Sequence, residues 1–307
     1  MARPPLPSGR DVEVRSADGT RLHARVFGPE NGYPIVLAHG ITCAIEVWAH
    51  QIADLAGDYR VIAYDHRGHG RSEAPRGRNR YSLNHLAADL DAVLETTLAP
   101  GEKALIGGHS MGGIAITSWS QRYPHRVNRR ADAVALINTT TGDLLRNIKV
   151  LPVPQPLSST RVRAAGTAIR TFGGLPVPTA AGVANKRFVK YVAVGRDADP
   201  SVSEFVYQLF SSTPRSGRGG WARVLVNSLD RQHISLVNLT VPTLVIGSSK
   251  DRLLPINSAR YIAEHAPNLV EFAELAGGHC AILECPDQVN RKLRALAESI
   301  APQRLSS

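Results

Sequence analysis

The sequence predicts an α/β fold in which a mostly parallel sheet carries helices on both faces. Three observations lead there. Five short apolar runs, each of strand length, are spread between residues 35 and 246. Helical stretches fall between them, and strands alternating with helices imply parallel pairing through crossover connections. The rhythm breaks once, over residues 142–240, and then resumes.

The elements follow in chain order. Val12, Val14, Leu22, Ala24 and Val26 lie in extended-looking runs around Asp18-Gly19, a hairpin signal. The first buried run, Ile35 to Ala38, leads to His39-Gly40, and the second, Arg60 to Tyr64, leads to Asp65. Ser82 is placed as the N-cap of a helix with Leu83, Leu86, Ala87, Leu90, Val93 and Leu94 at helical spacing. Ala104 to Ile106 is the third run and ends in Gly107-Gly108. A helix from Met111 to Tyr123 follows it and stops before Pro124. Ala133 to Ile137 ends in Asn138, and Thr243 to Ile246 ends in Gly247. Two more helices are read at Asn257 to His265 and Pro286 to Ile300. Runs without polar alternation suit strands covered on both faces. Residues 1–141 and 241–307 form the core, and 142–240 form an inserted lid with helical elements. The end of the chain from Pro302 is expected to fray.

Composition narrows the class. The chain has 307 residues, 43% of them hydrophobic and 20% charged, enough for one large α/β domain with an insertion or two modest domains. It lacks an uninterrupted apolar stretch of about 18 residues, so no membrane span is expected. Met1 to Asp11 is Pro-rich without the apolar core of a secretory signal, which makes the cytoplasm the default and leaves peripheral membrane contact open. Cys43, Cys280 and Cys285 form neither a disulfide framework nor a zinc-ligand spacing and read as small buried hydrophobes.

Charge is uneven. Residues 142–240 hold 13 Lys and Arg against 5 Asp and Glu, and the rest of the chain holds 23 against 21. A genome preference accounts for 30 Arg against 6 Lys, but not for where they fall. The alternatives are a solvated surface and a basic rim that meets an anionic partner. Lys186 to Val192, which mixes cations with apolar side chains, suits a helix packed on the core with solvated charges or, as the alternative, a segment lying on an anionic membrane surface. Nucleic acid is not expected, since no basic motif is interleaved with aromatic residues.

Chemistry centres on Gly108-His109-Ser110-Met111-Gly112-Gly113, a G-x-S-x-G sequence between a strand and a helix. The glycines relieve crowding in the turn, which lifts the serine oxygen above the sheet edge at a helix N-terminus. A serine hydroxyl needs a base, and the expected order along the chain is serine, acid, histidine. His279, in a glycine-rich loop after the run Leu269 to Leu275, is the candidate base. Asp251, in the loop after the fifth run, is the candidate acid, with Asp143 after the fourth run as its competitor. Acyl transfer also needs donors for an oxyanion, and the backbone N–H groups of Met111 and Ile41 are assigned to it. His39 is read as a hydrogen-bonding strut.

Together, His39-Gly40, the stretch Asp65 to Ser72, the Ser110 turn, Asp251 and His279 resemble the α/β-hydrolase superfamily, in its lidded esterase and lipase-like branch. The resemblance covers nearly the whole chain outside the lid. It implies an eight-stranded sheet opened by the antiparallel hairpin, a helical lid between strands six and seven, and no metal or organic cofactor. It gives the Asp65 to Ser72 loop a structural role. Serine at position 110 argues against epoxide hydrolase or haloalkane dehalogenase chemistry, which uses a carboxylate nucleophile. The turn also occurs in monoacylglycerol lipase-like members, whereas His39-Gly40-Ile41-Thr42-Cys43 departs from their His-Gly-x-x-Glu-His loop. The expected function is cleavage of a small carboxylic ester with an apolar acyl group through an acyl-enzyme. The same three side chains also serve C–C or amide hydrolysis, lyase, acyltransferase and perhydrolase reactions, and the scaffold occurs in slow-turnover ligand-binding proteins.

Overall fold

The computed structural model describes residues 3–147, 191–195, 197–229 and 232–300, together with position 167. Eight strands form one sheet: β1 (Gly9–Arg15), β2 (Arg21–Phe27), β3 (Pro34–Ala38), β4 (Arg60–Tyr64), β5 (Ala104–His109), β6 (Ala131–Ile137), β7 (Thr243–Ser248) and β8 (Leu269–Leu275). Their spatial order is β1-β2-β4-β3-β5-β6-β7-β8. The pairs β1–β2 and β2–β4 are antiparallel, and the remaining pairs are parallel. The hairpin and all five buried runs are therefore strands, as the sequence predicts.

Each central strand feeds two cores. Val36 and Ala38, Ile62 and Tyr64, Ile106, and Val134 and Leu136 join one apolar cluster; Ile35 and Leu37, Val61 and Ala63, Leu105, and Ala133 and Ala135 join the other. This is the period-two alternation of strand side chains, with both faces buried because helices cover each. Helices α1 (Ala49–Leu55), α2 (Leu83–Thr97), α3 (Met111–Arg122) and α4 (Pro124–Arg130) belong to the first part of the core. Ser82 caps α2 as predicted, its hydroxyl accepting from the His85 N–H at 3.1 Å. Between β6 and β7 lie α5 (Leu144–Asn147), α6 (Pro200–Ser212) and α7 (Arg215–Ser228); α8 (Ile256–His265), α9 (Ala281–Glu284) and α10 (Pro286–Ile300) follow.

The described part of the insertion packs tightly on the core. Trp221, Leu225 and Leu229 join the first cluster; Val202, Val206 and Leu209 join the second. Helix α7 meets the Asp65 to Ser72 loop backbone to backbone: a Cβ on Gly217 would lie 2.1 Å from the Gly68 carbonyl oxygen. The Trp221 indole N–H donates to the Arg67 carbonyl at 2.9 Å. The stems of the insertion touch, with Ile234 N–H bonded to Thr141 O at 2.9 Å and Leu144 N–H to Leu229 O at 2.8 Å. The apolar positions from Val150 to Leu175, the stretch Lys186 to Lys190, and the chain end from Pro302 lie outside the described residues.

The three cysteines are free thiols, Cys43 and Cys280 buried and Cys285 half-buried. Among the described residues no helix is long and apolar enough to cross a membrane. The chain leaves β3 in one direction to β4 and reaches β5 on the other side of β3. Ligands in open α/β sheets bind at such reversals, beyond the carboxyl ends of the strands.

Candidate active site

Gly40 follows β3 and Ser110 follows β5, so both stand at that reversal. Ser110 has φ +53° and ψ −116°, a sparsely populated conformation for a residue with a side chain. Its surroundings hold it there. Its N–H donates to Ile137 O at 2.9 Å, and its carbonyl accepts from the Thr139 hydroxyl at 2.7 Å. The neighbouring glycines are close-approach positions. A Cβ on Gly112 would lie 2.0 Å from the Ala38 carbonyl oxygen, and one on Gly108 would lie 2.5 Å from Gly112. Helix α3 thus sits directly on β3, with Ser110 at its N-terminus.

The Ser110 Oγ lies 2.9 Å from His279 Nε2, and His279 Nδ1 lies 2.8 Å from Asp251 Oδ2. All three residues are buried. The bonding of Asp251 fixes the proton positions. Its Oδ1 accepts the N–H groups of Leu253 and Leu254 at 2.9 and 2.7 Å, and its Oδ2 also accepts from Asn138 Nδ2 at 3.0 Å. A carboxylate in that setting only accepts, so His279 carries its proton on Nδ1 and leaves Nε2 to accept from the serine hydroxyl. This is the arrangement in which an imidazole can draw a proton from a serine.

Asn138 belongs to this site and was not among the residues predicted for it. It sits at the end of β6 with φ +44°, a conformation that Asn tolerates better than most residues. Its side chain joins β6 to the Asp251 and His279 loops, since Nδ2 also reaches Gly278 O at 3.5 Å. The one trace of it in the sequence is its place at the end of an apolar run. The competing acid Asp143 lies elsewhere: its Oδ2 is 3.3 Å from His233 Nε2. His233 is in turn bonded to the Thr141 hydroxyl at 2.8 Å and stacked on Tyr261.

The loop after β3 borders the serine. A Cβ on Gly40 would stand 3.1 Å from Ser110 Cβ. Thr42, at φ +59°, gives its N–H to His69 Nε2 at 2.9 Å, and Cys43 gives its N–H to Gly40 O at 3.2 Å. Among the described residues, neither the Ile41 N–H nor the Met111 N–H, at the first position of α3, donates to another backbone group.

Buried neutral imidazoles support this loop. His39 Nδ1–H donates to Gly40 O at 2.7 Å while Nε2 accepts the His66 N–H at 3.1 Å, which makes it the strut the sequence predicts. Burial first, then the neighbouring His66 and His69, hold its basicity well below the ordinary imidazole value. Burial likewise pushes His66 down to about 3, His69 to about 4 and His109 to about 3. Asp65 accepts the N–H groups of Ile45 and Arg71 at 2.9 and 3.0 Å, so its loop is structural here.

These rings predict an acid-sensitive fold. In the unfolded chain they would protonate near 6.5, so the unfolded state binds more protons between that pH and about 3. Stability is full above about pH 6.5 and falls as the pH drops toward the folded values. His23 works the other way: burial lowers it, but bonds to Asp65 and Asp11 outweigh burial and raise it. A melting series from about pH 8 to about pH 4 should show net proton uptake on unfolding. A melting temperature unchanged across that range would rule the prediction out.

Residues 33–286 match the family model described as alpha/beta hydrolase fold. The chain belongs to the α/β-hydrolase family. Relatives of this α/β-hydrolase differ in their named activities. Over 109 residues it is 34% identical to the Mycobacterium tuberculosis protein named probable oxidoreductase EphD, which is 36% of this chain and 18% of that protein. The chain thus spans less than a fifth of that relative. It is 25% identical to the human 1-acylglycerol-3-phosphate O-acyltransferase ABHD5, over 94% of this chain and 84% of that one. Among solved structures, the enol-lactonase of Burkholderia xenovorans LB400 superposes with a TM-score of 0.73 at 24% identity, covering 94% of this α/β-hydrolase and all of that chain. The esterase RhEst1 of Rhodococcus sp. ECU1013 gives a TM-score of 0.68 at 25% identity, over 94% and 99% of the two chains.

Proposed function

We propose that this α/β-hydrolase is a serine esterase that cleaves a carboxylic ester with an apolar acyl group. The observation that carries the proposal is the continuous hydrogen-bonded line from Ser110 through His279 to Asp251 at the carboxyl ends of β5, β7 and β8. In the first half-reaction Ser110 Oγ attacks the acyl carbon and passes its proton to His279 Nε2. The Ile41 and Met111 N–H groups receive the oxyanion, and Asp251 stabilises the charged imidazole. The intermediate collapses as His279 returns the proton to the leaving alcohol oxygen. Water then adds to the acyl-enzyme, gives a proton to His279, and the acid departs as Ser110 regains that proton. The names of the esterase and the enol-lactonase among similar structures support ester or lactone chemistry.

In this reading residues 142–240 are the lid that shapes the acyl pocket, and their basic, partly apolar stretch is where an anionic membrane surface would make peripheral contact. Acyl transfer to an alcohol is the second reading, favoured by the match to a protein named as an acyltransferase over 94% of this chain.

The test is hydrolysis of nitrophenyl esters graded from short to long acyl chains, with and without a competing alcohol and with and without anionic vesicles. Multiple turnover with a medium- or long-chain optimum is expected. Predominant ester product with the alcohol would favour transfer, and no turnover by folded protein would remove the esterase reading. Vesicles that change neither binding nor rate would remove the membrane contact.

A further inference from the structure

We infer that Glu284 is a positioning residue whose carboxylate holds the His279 loop and the inserted segment together, so that seating the segment and aiming the base are one event. The inference rests on His279 being the base.

Glu284 ends α9, five residues beyond His279. Its Oε2 accepts the Gly278 N–H at 2.8 Å and the Gly195 N–H at 3.0 Å; its Oε1 accepts the Cys280 N–H at 3.2 Å. The Gly278 and Cys280 bonds bracket His279 on both sides. Gly195 comes from the segment between β6 and β7, far away in sequence. One charged acceptor therefore spans the turn that carries the base and the chain that covers it, and charge-assisted bonds of this kind are the strong ones.

The packing around the carboxylate leaves no slack. A Cβ on Gly278 would lie 2.3 Å from the Gly195 nitrogen, and a Cβ on Gly195 would lie 2.6 Å from Glu284 Oε2. Two glycine backbones face each other across the acid. Burial makes the carboxyl easier to protonate, and the three N–H groups oppose that. Other bonds hold the turn from the core side: His109 Nε2 donates to His279 O at 2.9 Å, and the Lys250 N–H donates to Gly277 O at 3.1 Å. Neither of these reaches the insertion. Lys250 and Asp197 do link the two parts at 2.6 Å, but both side chains are exposed, and exposed pairs contribute little.

The chemistry separates a positioning role from a merely stabilising one. Glu284→Gln loses an acceptor where three donors converge. Gly195→Ala disturbs the same carboxylate from the insertion: its Cβ would stand 2.6 Å from Glu284 Oε2 and 3.1 Å from the Gly278 nitrogen, while the residues from His279 to Glu284 keep their sequence. If Glu284 couples the two, both changes act by one route.

The experiment compares full-length wild type, Glu284→Gln, Gly195→Ala and the double variant. The first readout is the rate of covalent labelling of Ser110 by an alkyl fluorophosphonate across pH. Each single variant should slow labelling by on the order of 10- to 100-fold and shift the acidic limb of the profile, because a small misplacement of a base has an effect of that size. The double variant should be no slower than the worse single one, the non-additivity of a shared route. The second readout is amide hydrogen exchange: Gly195→Ala should speed exchange at Cys280, whose N–H is bonded to the other carboxylate oxygen of Glu284. Lower melting temperatures with unchanged labelling and pH profile, additive losses, or unchanged exchange at Cys280 would overturn the inference. Wild-type protein that is folded but unlabelled at Ser110 would instead remove the esterase reading, and the exchange readout would still decide whether Glu284 couples the two segments.

Discussion

Replacing Ser110 with alanine is expected to lower kcat for ester hydrolysis by about 10⁶-fold. The substitution removes one oxygen, which is bonded to His279 Nε2 at 2.9 Å. It retains the Cβ and so retains the packing. The bonds that hold the turn run through the backbone of residue 110, to Ile137 and Thr139, and are untouched. Melting temperature and substrate binding should therefore change little while turnover disappears. The small rate that survives would come from the N–H groups of the oxyanion site and from substrate binding, not from a nucleophile. Multiple turnover at a rate near wild type in a homogeneous Ser110→Ala preparation would place the nucleophile on another residue.

Asp251→Asn is expected to lower kcat by about 10⁴-fold, with near-normal folding. The amide is nearly isosteric, but its bonding does not fit. Two backbone N–H groups, from Leu253 and Leu254, point at Oδ1, so the amide oxygen settles there. The amide NH2 then faces His279 Nδ1–H and Asn138 Nδ2–H, donor against donor. His279 relieves this by moving its proton to Nε2, where it donates to Ser110 instead of accepting from it. The base is present, correctly placed and in the wrong tautomer. Steady-state kinetics beside a crystal structure of the variant would check this. Activity above about a tenth of wild type would mean that another group orients His279, against the expected loss.

The fold and the three side chains that meet at the candidate site are legible in the sequence because each has a local signature. A strand buried on both faces is a short apolar run. A serine on a sharp strand–helix turn needs small neighbours, and Gly108 and Gly112 meet that need against Gly112 and Ala38. Asp251 and His279 stand where two strands end, and strand ends can be read. What the sequence conceals is recognition across long separations. Asn138 meets an acid 113 positions away through one amide. Gly217 has its role only because Gly68 lies against it. Asp143 has the right type and position for the acid and is bonded to His233 instead, a choice made by where the insertion returns to the core.

The contact between the stems has an evolutionary consequence. Thr141 is bonded to Ile234, and Leu144 to Leu229, so the excursion between them begins and ends at nearly one place. The entropy of closing such a loop grows only with the logarithm of its length, and doubling the loop costs about 0.6 kcal/mol. Insertions and deletions between the stems are then nearly neutral for the stability of the sheet, provided that the residues packed against it are kept. Variation in the rest of the segment would then leave Ser110, His279 and Asp251 held as they are, provided that Gly195 keeps its place against Glu284. If the proposed esterase reading holds, such a chain would change what it acts on faster than how it acts.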